Sequence, residues 1–225
     1  MAAIERTRHP RRGFTLMELM VVISIITIFV GVIGYGFLRG SASSTVGLQA
    51  SQSMILALLT QARSEAIAAG RDVALLVHVD PSVPERYLRF VVPAVVPEGS
   101  DPWKPLSAGH YLPSGSFVVP PVTPDVGARF DSVSLWSDYR STAFRDPVDA
   151  AIESSGDQAW LRITFKSVGT TSAGQIVVAA GNSRPTTDED PIPFEFSNVN
   201  AVRGVELSTY GQARLVNERS GFLPN

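Results

Sequence analysis

Glu18 is the residue whose type and place ask first for a chemical explanation. It stands at the head of a long apolar run, and from Leu19 to Leu38 that run holds 20 residues without a charge. A carboxylate in apolar surroundings is costly unless a cation pairs with it, so Glu18 is a functional candidate by default. Other chemistry is sparse. The three histidines, His9, His78 and His110, are scattered along the chain, and there is no cysteine. Thiolate metal sites, disulfides and a cysteine nucleophile are therefore excluded. No HExxH, GxSxG, SxxK or Walker sequence occurs, so neither an enzyme nor a resident metal or cofactor is expected. Asp188-Glu189-Asp190 is the one acidic run. It lacks the spaced oxygen ligands of a calcium loop and reads as a solvated loop after Pro185. Arg214 and Arg219 form a small basic group near the C-terminus, with Glu218 between them.

The element that must position Glu18 is a helix. Twenty apolar residues in helical form span about 30 Å, the thickness of a bilayer's hydrocarbon core. Leu19, Val22, Ile26, Phe29, Ile33 and Leu38 are the anchor positions along it. Four arginines precede the run in MAAIERTRHPRRG, and Arg39 alone directly follows it. That asymmetry places residues 1–13 in the cytoplasm and the body outside. The whole chain carries a net charge of −2, but residues 1–39 hold five Arg and two Glu while the remainder is acidic. An acidic body argues against a general nucleic-acid surface. Gly31, Gly34, Gly36 and Gly40 do not follow a strand, so they read as close helix packing rather than a phosphate loop. On these residues alone a secretory signal peptide, with Ser41-Ala42-Ser43 as its cleavage site, and a plain membrane anchor both remain open.

Beyond the run, a second helical pattern follows a short polar stretch from Ser41 to Thr45. Leu48, Ile55, Leu59, Ala62 and Ala66 recur at steps of 7, 4, 3 and 4, which make one apolar stripe. Gly70 fits a C-cap. The spacing predicts a helix from about Phe14 to Ala69, then strands at about 72–79, 86–92, 116–119, 159–167, 174–180 and 202–215. Pro93 to Pro105 reads as a Pro-rich loop. Residues 120–157 read as a long polar insertion with a short strand or helix of its own. Trp160 is expected in the core, with Trp103 and Trp136 free to serve core or interface. His78, in a strand, is expected to point to one face rather than to act as a ligand.

Arg12-Gly13-Phe14-Thr15-Leu16-Met17-Glu18-Leu19, followed by MVVISIITI, resembles the class III signal of type IV pilins and type II secretion pseudopilins. Within that family, the minor pseudopilin H and FimT-like group is the branch most similar in detail. Gln61-Ala62-Arg63-Ser64-Glu65-Ala66-Ile67 resembles its usual helix end. Leu112-Pro113-Ser114-Gly115, Ile163-Thr164-Phe165 with Gly169, and Tyr210-Gly211-Gln212-Ala213-Arg214 follow in the group's order. The chain has Gly211-Gln212 where the group usually has Gly-Arg, its 120–157 insertion is long, and the stem helix lacks the proline common in major pilins.

The resemblance implies an α+β, pilin-like fold. A long N-terminal helix, half membrane stem and half amphipathic, packs on an antiparallel sheet. Residues 1–13 would be a cleaved leader, 14–40 the membrane and filament-core helix, and 41–225 a periplasmic domain. A prepilin peptidase would cut between Gly13 and Phe14 and N-methylate Phe14. Glu18 would then pair with the Phe14 ammonium of a neighbouring subunit, two charges tolerable together in an apolar core. The implied partners are other pseudopilins or pilins, that peptidase and the inner-membrane assembly platform. The implied role is structural, as a minor pseudopilin in a periplasmic pseudopilus. The second implied role is a FimT-like minor type IV pilin, with Arg214 and Arg219 as DNA contacts. Two arginines neutralise few phosphates, so ordinary surface arginines are the favoured reading and nucleic acid is not an expected partner. Major pseudopilins also use calcium, which is the other reading of Asp188 to Asp190.

Overall fold

The structure, a computed structural model, describes Met17 and residues 20–23, 41–99, 102–120, 143–150, 152, 158–185, 187, 194–196 and 200–222. Two compact units divide the chain, Met1–Ala42 and Ser43–Asn225. In the first, Met17 and residues 20–23 are helical. The rest of the expected stem, residues 14–16, 18–19 and 24–40, lies outside the described residues.

Helix α1 spans Ser41–Ala69. It contains no proline and a single glycine, Gly47, and much of it is Ala, Leu, Gln and Ser. The expected stripe is its buried face: Leu48, Ile55, Leu59, Ala62 and Ala66 are all at or below 3% exposure, joined by Leu58. The helix ends at Gly70, whose φ of +64° a side chain rarely adopts, while the Arg71 N–H donates back to the Ala66 carbonyl at 3.2 Å. That back-bond to the residue five before it is the glycine C-cap geometry.

Eleven strands follow among the described residues: β1 (Val73–His78), β2 (Phe90–Val95), β3 (Lys104–Pro105), β4 (His110–Tyr111), β5 (Ser116–Val118), β6 (Arg145–Ala150), β7 (Gln158–Phe165), β8 (Gly174–Ser183), β9 (Phe194–Phe196), β10 (Val202–Leu207) and β11 (Ala213–Val216). They form two antiparallel sheets. The first runs β3-β2-β1-β7-β6, with β4 also on β2; the second runs β11-β10-β8-β5, with β9 also on β8. The main core lies between α1 and both sheets. It combines the helix stripe with Val73, Leu75 and Val77 of β1, Leu161, Ile163 and Phe165 of β7, and Ile176, Val178 and Val205 of the second sheet.

The first sheet curls back on itself. Trp103, beside β3, makes a parallel bridge to Ile152, just past β6, so the two outer strands are joined. The interior of that curl is a second core of Ala74, Leu76, Val92, Ala94, Trp103 and Trp160. This explains why every residue of β1 is buried. Odd positions face the helix and even positions face the interior of the curl. The outer face of the second sheet is covered as well, with Phe222 of a short 3-10 helix (Arg219–Phe222) packed on Val177, Ala179, Val202 and Val216. Leu88 links the sheets. Its N–H donates to the His78 carbonyl and its carbonyl accepts from the Val118 N–H, each at 2.8 Å. It does so at a φ of +54°, a strained conformation for a bulky residue held by those two bonds and by complete burial.

Several strand expectations need correction. Residues 86–89 are a turn, not a strand, and β2 begins at Phe90. The strand then runs through Pro93, which the composition had assigned to a loop. Pro93 sits between the β4 partners Phe90 and Val91 and the β3 partners Ala94 and Val95, where no strand of either pair lies opposite it. A proline is tolerated at such an edge position. The expected strand at 202–215 is two strands, β10 and β11, turned by Tyr210 and by Gly211 at a φ of +71°. The 120–157 insertion does carry a strand, β6. Trp160 is core, as expected, and so is Trp103, whose place was open.

Candidate functional site

The residues that the sequence singles out for processing and assembly, Gly13, Phe14 and Glu18, lie outside the described residues. So do the anchor positions Leu19, Ile26, Phe29, Ile33 and Leu38, and the acidic run Asp188 to Asp190. Val22 is described. It is helical and exposed, as are its neighbours Met20, Val21 and Ile23 and, one turn earlier, Met17. Five apolar side chains exposed in one stretch are a surface that water alone does not suit. No helix among the described residues is long and apolar enough to cross a membrane.

In the second unit the structure brings together three of the four short motifs that are scattered in sequence. Arg63, on the last turns of α1, donates from Nε to the Gly169 carbonyl at 3.2 Å. Gly169 (φ +81°) is in the β7–β8 turn, and a Cβ there would stand 2.7 Å from Ile67 Cδ1. Gly211 is in the β10–β11 turn, and a Cβ there would stand 2.5 Å from the Gly169 carbonyl and 2.9 Å from Arg63 Cδ. Only glycine lets two turns close on the helix end this tightly. Ile67, Val168 and Tyr210 remain exposed around this corner. The fourth motif, Leu112 to Gly115, lies near the other end of the helix: a Cβ on Gly47 would stand 3.9 Å from Pro113 Cβ and 3.3 Å from Ser116 Oγ.

Arg214 and Arg219 are not brought together as a cationic pair. Arg214 bonds through two nitrogens to Glu206 Oε2 across the β10–β11 hairpin, its Nε at 3.0 Å. Arg219 donates to Asn200 Oδ1 at 3.0 Å, and its Nε is buried. One anchoring residue escaped the sequence reading. Gln52 is 2% exposed and donates from Nε2 to two backbone carbonyls of the second sheet, Gly204 at 2.7 Å and Val216 at 3.0 Å. Its sign was available, because Gln52 falls on the apolar stripe four residues after Leu48 and three before Ile55. Among the described residues no group of three or more His, Asp or Glu side chains gathers as metal ligands.

The first forty residues decide what kind of signal this is. A family model described as the prokaryotic N-terminal methylation motif matches residues 8–34. The chain carries this methylation motif. The match contains Gly13, Phe14 and Glu18 and most of the apolar run. No curated protein matches the sequence. Two solved structures resemble the fold. One is the type IV minor pilin FimU of Pseudomonas aeruginosa, at 16% identity over 79% of this chain and 92% of that one, with a TM-score of 0.40. The other is the minor pseudopilin EpsH from the Type 2 Secretion System of Vibrio cholerae, at 11% identity over 75% and 95%, with a TM-score of 0.41. At that distance no role passes from either protein to this chain. The methylation motif, and the exposed apolar residues inside it, carry the functional argument.

Proposed function

We propose that this chain is a minor pseudopilin of a type II secretion system, a structural subunit rather than an enzyme. The observation that carries this reading is the methylation motif over residues 8–34, with Gly13-Phe14 and Glu18 in their places. The basic leader would stay in the cytoplasm while the Ser43–Asn225 unit is exported. A prepilin peptidase would cut after Gly13 and methylate the new amino group of Phe14. Leu19 to Leu38 would then hold the subunit in the inner membrane until an assembly platform moves it into a periplasmic pseudopilus. The exposed side chains at Met17 and residues 20–23 support this, since a bilayer or a bundle of like helices would bury them. In the bundle, the Phe14 ammonium of one subunit and Glu18 of the next would neutralise each other.

The same signal serves minor type IV pilins. The variant of that role that needs DNA contacts at Arg214 and Arg219 draws no support from their surroundings, because both guanidiniums already have partners. The test is a deletion strain of the host scored for protein secretion and for natural transformation. Loss of secretion with normal DNA uptake is the expected outcome. Normal secretion overturns the proposal, and loss of DNA uptake alone transfers the subunit to a type IV pilus.

A further inference from the structure

Along β7, Trp160 points into the curl of the first sheet, and strand alternation carries Arg162 and Thr164 on the same face toward one open end. Their register partners on β1, Leu76 and Ala74, belong to the same interior. At that end the structure has a cleft of about 530 Å³, lined among others by Asp72, Arg162, Thr164, Lys166, Thr171 and Thr209. Cleft mouths of curled sheets are common ligand sites.

The charges in the cleft are uneven. Asp72 is already engaged: it accepts from Lys166 Nζ at 2.7 Å and from the Ser167 N–H at 3.1 Å. Arg162 is half-buried, and among the described residues it has neither a carboxylate nor a hydrogen-bond partner. A guanidinium presents a planar fork of N–H donors suited to two oxygens of one anion. Hydroxyls supply much of the remaining lining, and among the described residues no aromatic side chain takes part. A base or an unsubstituted sugar ring would find no stacking platform there.

We propose that this cleft binds an oxyanion, carboxylate or phosphate, carried on a hydroxyl-rich ligand, with Arg162 forking the anion and the threonine hydroxyls bonding its polar body. An acidic or phosphorylated saccharide has that chemistry. The site is independent of the filament reading, because every residue in it belongs to the Ser43–Asn225 unit.

The test is a titration of the full chain in detergent micelles, followed by amide NMR at constant ionic strength. Inorganic phosphate and glucuronate are the two probes. Saturable shifts at the Thr164, Thr171 and Thr209 amides are expected, with a dissociation constant on the order of millimolar for one forked anion. Phosphate alone, glucuronate alone, or both saturating assigns the anion and supports the site. Arg162→Gln is expected to weaken binding about tenfold, and Arg162→Lys, which keeps charge without the fork, about threefold. The lysine variant serves if the glutamine variant fails to fold. Absence of saturable shifts with both probes overturns the proposal. So does unchanged affinity in whichever variant folds.

Discussion

Two side chains show how burial converts residue type into behaviour. Glu18 is a carboxylate that the sequence places where no water is expected, and in the proposed filament its use would depend on a cation from another subunit. Glu18→Leu is expected to leave membrane insertion intact and to abolish co-purification with filaments, as read by fractionation of a complemented strain. Intact mass of the membrane-bound wild type should correspond to residues 14–225 plus one methyl group. A chain that still begins at Met1 in a host with active peptidase would remove the basis of the filament reading. His78 is the opposite case, a titratable ring with no evident task. It is fully buried and packs edge-on against Trp160 at 4.9 Å, with the Gln158 side chain as its polar neighbour. Burial lowers its pKa below the usual 6.5, against the opposing pull of the Asp80 carboxylate. The unfolded chain therefore takes up a proton below pH 6.5 that the folded chain resists. Stability is held above that pH and lost as pH falls toward the lowered folded value, at no more than about 1.4 kcal/mol per pH unit. Asp80, whose pKa is lowered chiefly by its bond from Ser82, adds a further loss only below 3.8. Urea unfolding across a pH series should show the first decline, and His78→Leu should flatten it.

Helix α1 and its seam with the second sheet form the scale of the element. The stripe from Leu48 to Ala66 was legible because helical spacing repeats in sequence, and the C-cap was legible because glycine is the usual residue there. The seam was not, because Gln52 reaches partners more than 150 residues away. Gln52→Leu leaves two buried carbonyls without their donor and is expected to cost about 1–3 kcal/mol in denaturant unfolding. Gly204→Ala strikes the same seam from the other side. Its Cβ would stand 2.0 Å from the Ile176 carbonyl oxygen and 2.9 Å from Phe222 Cζ. Backbone cannot withdraw as a side-chain tip can, so a loss of about 3 kcal/mol is expected from the same measurement. Exposed pairs of this region matter less. Arg214 and Glu206 sit on a solvent-facing hairpin, where an ion pair contributes at most about 1 kcal/mol.

At the scale of the whole Ser43–Asn225 unit, the closing of the first sheet is the decisive feature. It gives the domain two interiors, one under the helix and one inside the curl, and it makes the mouth where Arg162 stands. Trp103 closes the curl beside Ile152 and is 6% exposed. Trp103→Ala is expected to cost about 3–5 kcal/mol. Because the curl would open, the emission of Trp160 should shift to the red in the folded variant. An unshifted emission would mean that Trp160 is shielded by something other than that closure.

Local pattern was enough for much of this protein. The methylation motif, the apolar run, the amphipathic stripe and the positions of β1, β5, β7 and β8 all depend on neighbours within a few residues, so their spacing is written directly in the chain. What the sequence could not supply was pairing. Pro93 looked like a loop residue until β3 and β4 left it an edge to occupy, and 202–215 looked like one strand until Gly211 turned it into a hairpin. The convergence of Arg63, Gly169 and Gly211, the reach of Gln52 and the place of Arg162 in its cleft all arise from contacts between distant segments. Their energies depend on which surfaces are buried against which, and only the tertiary structure decides that.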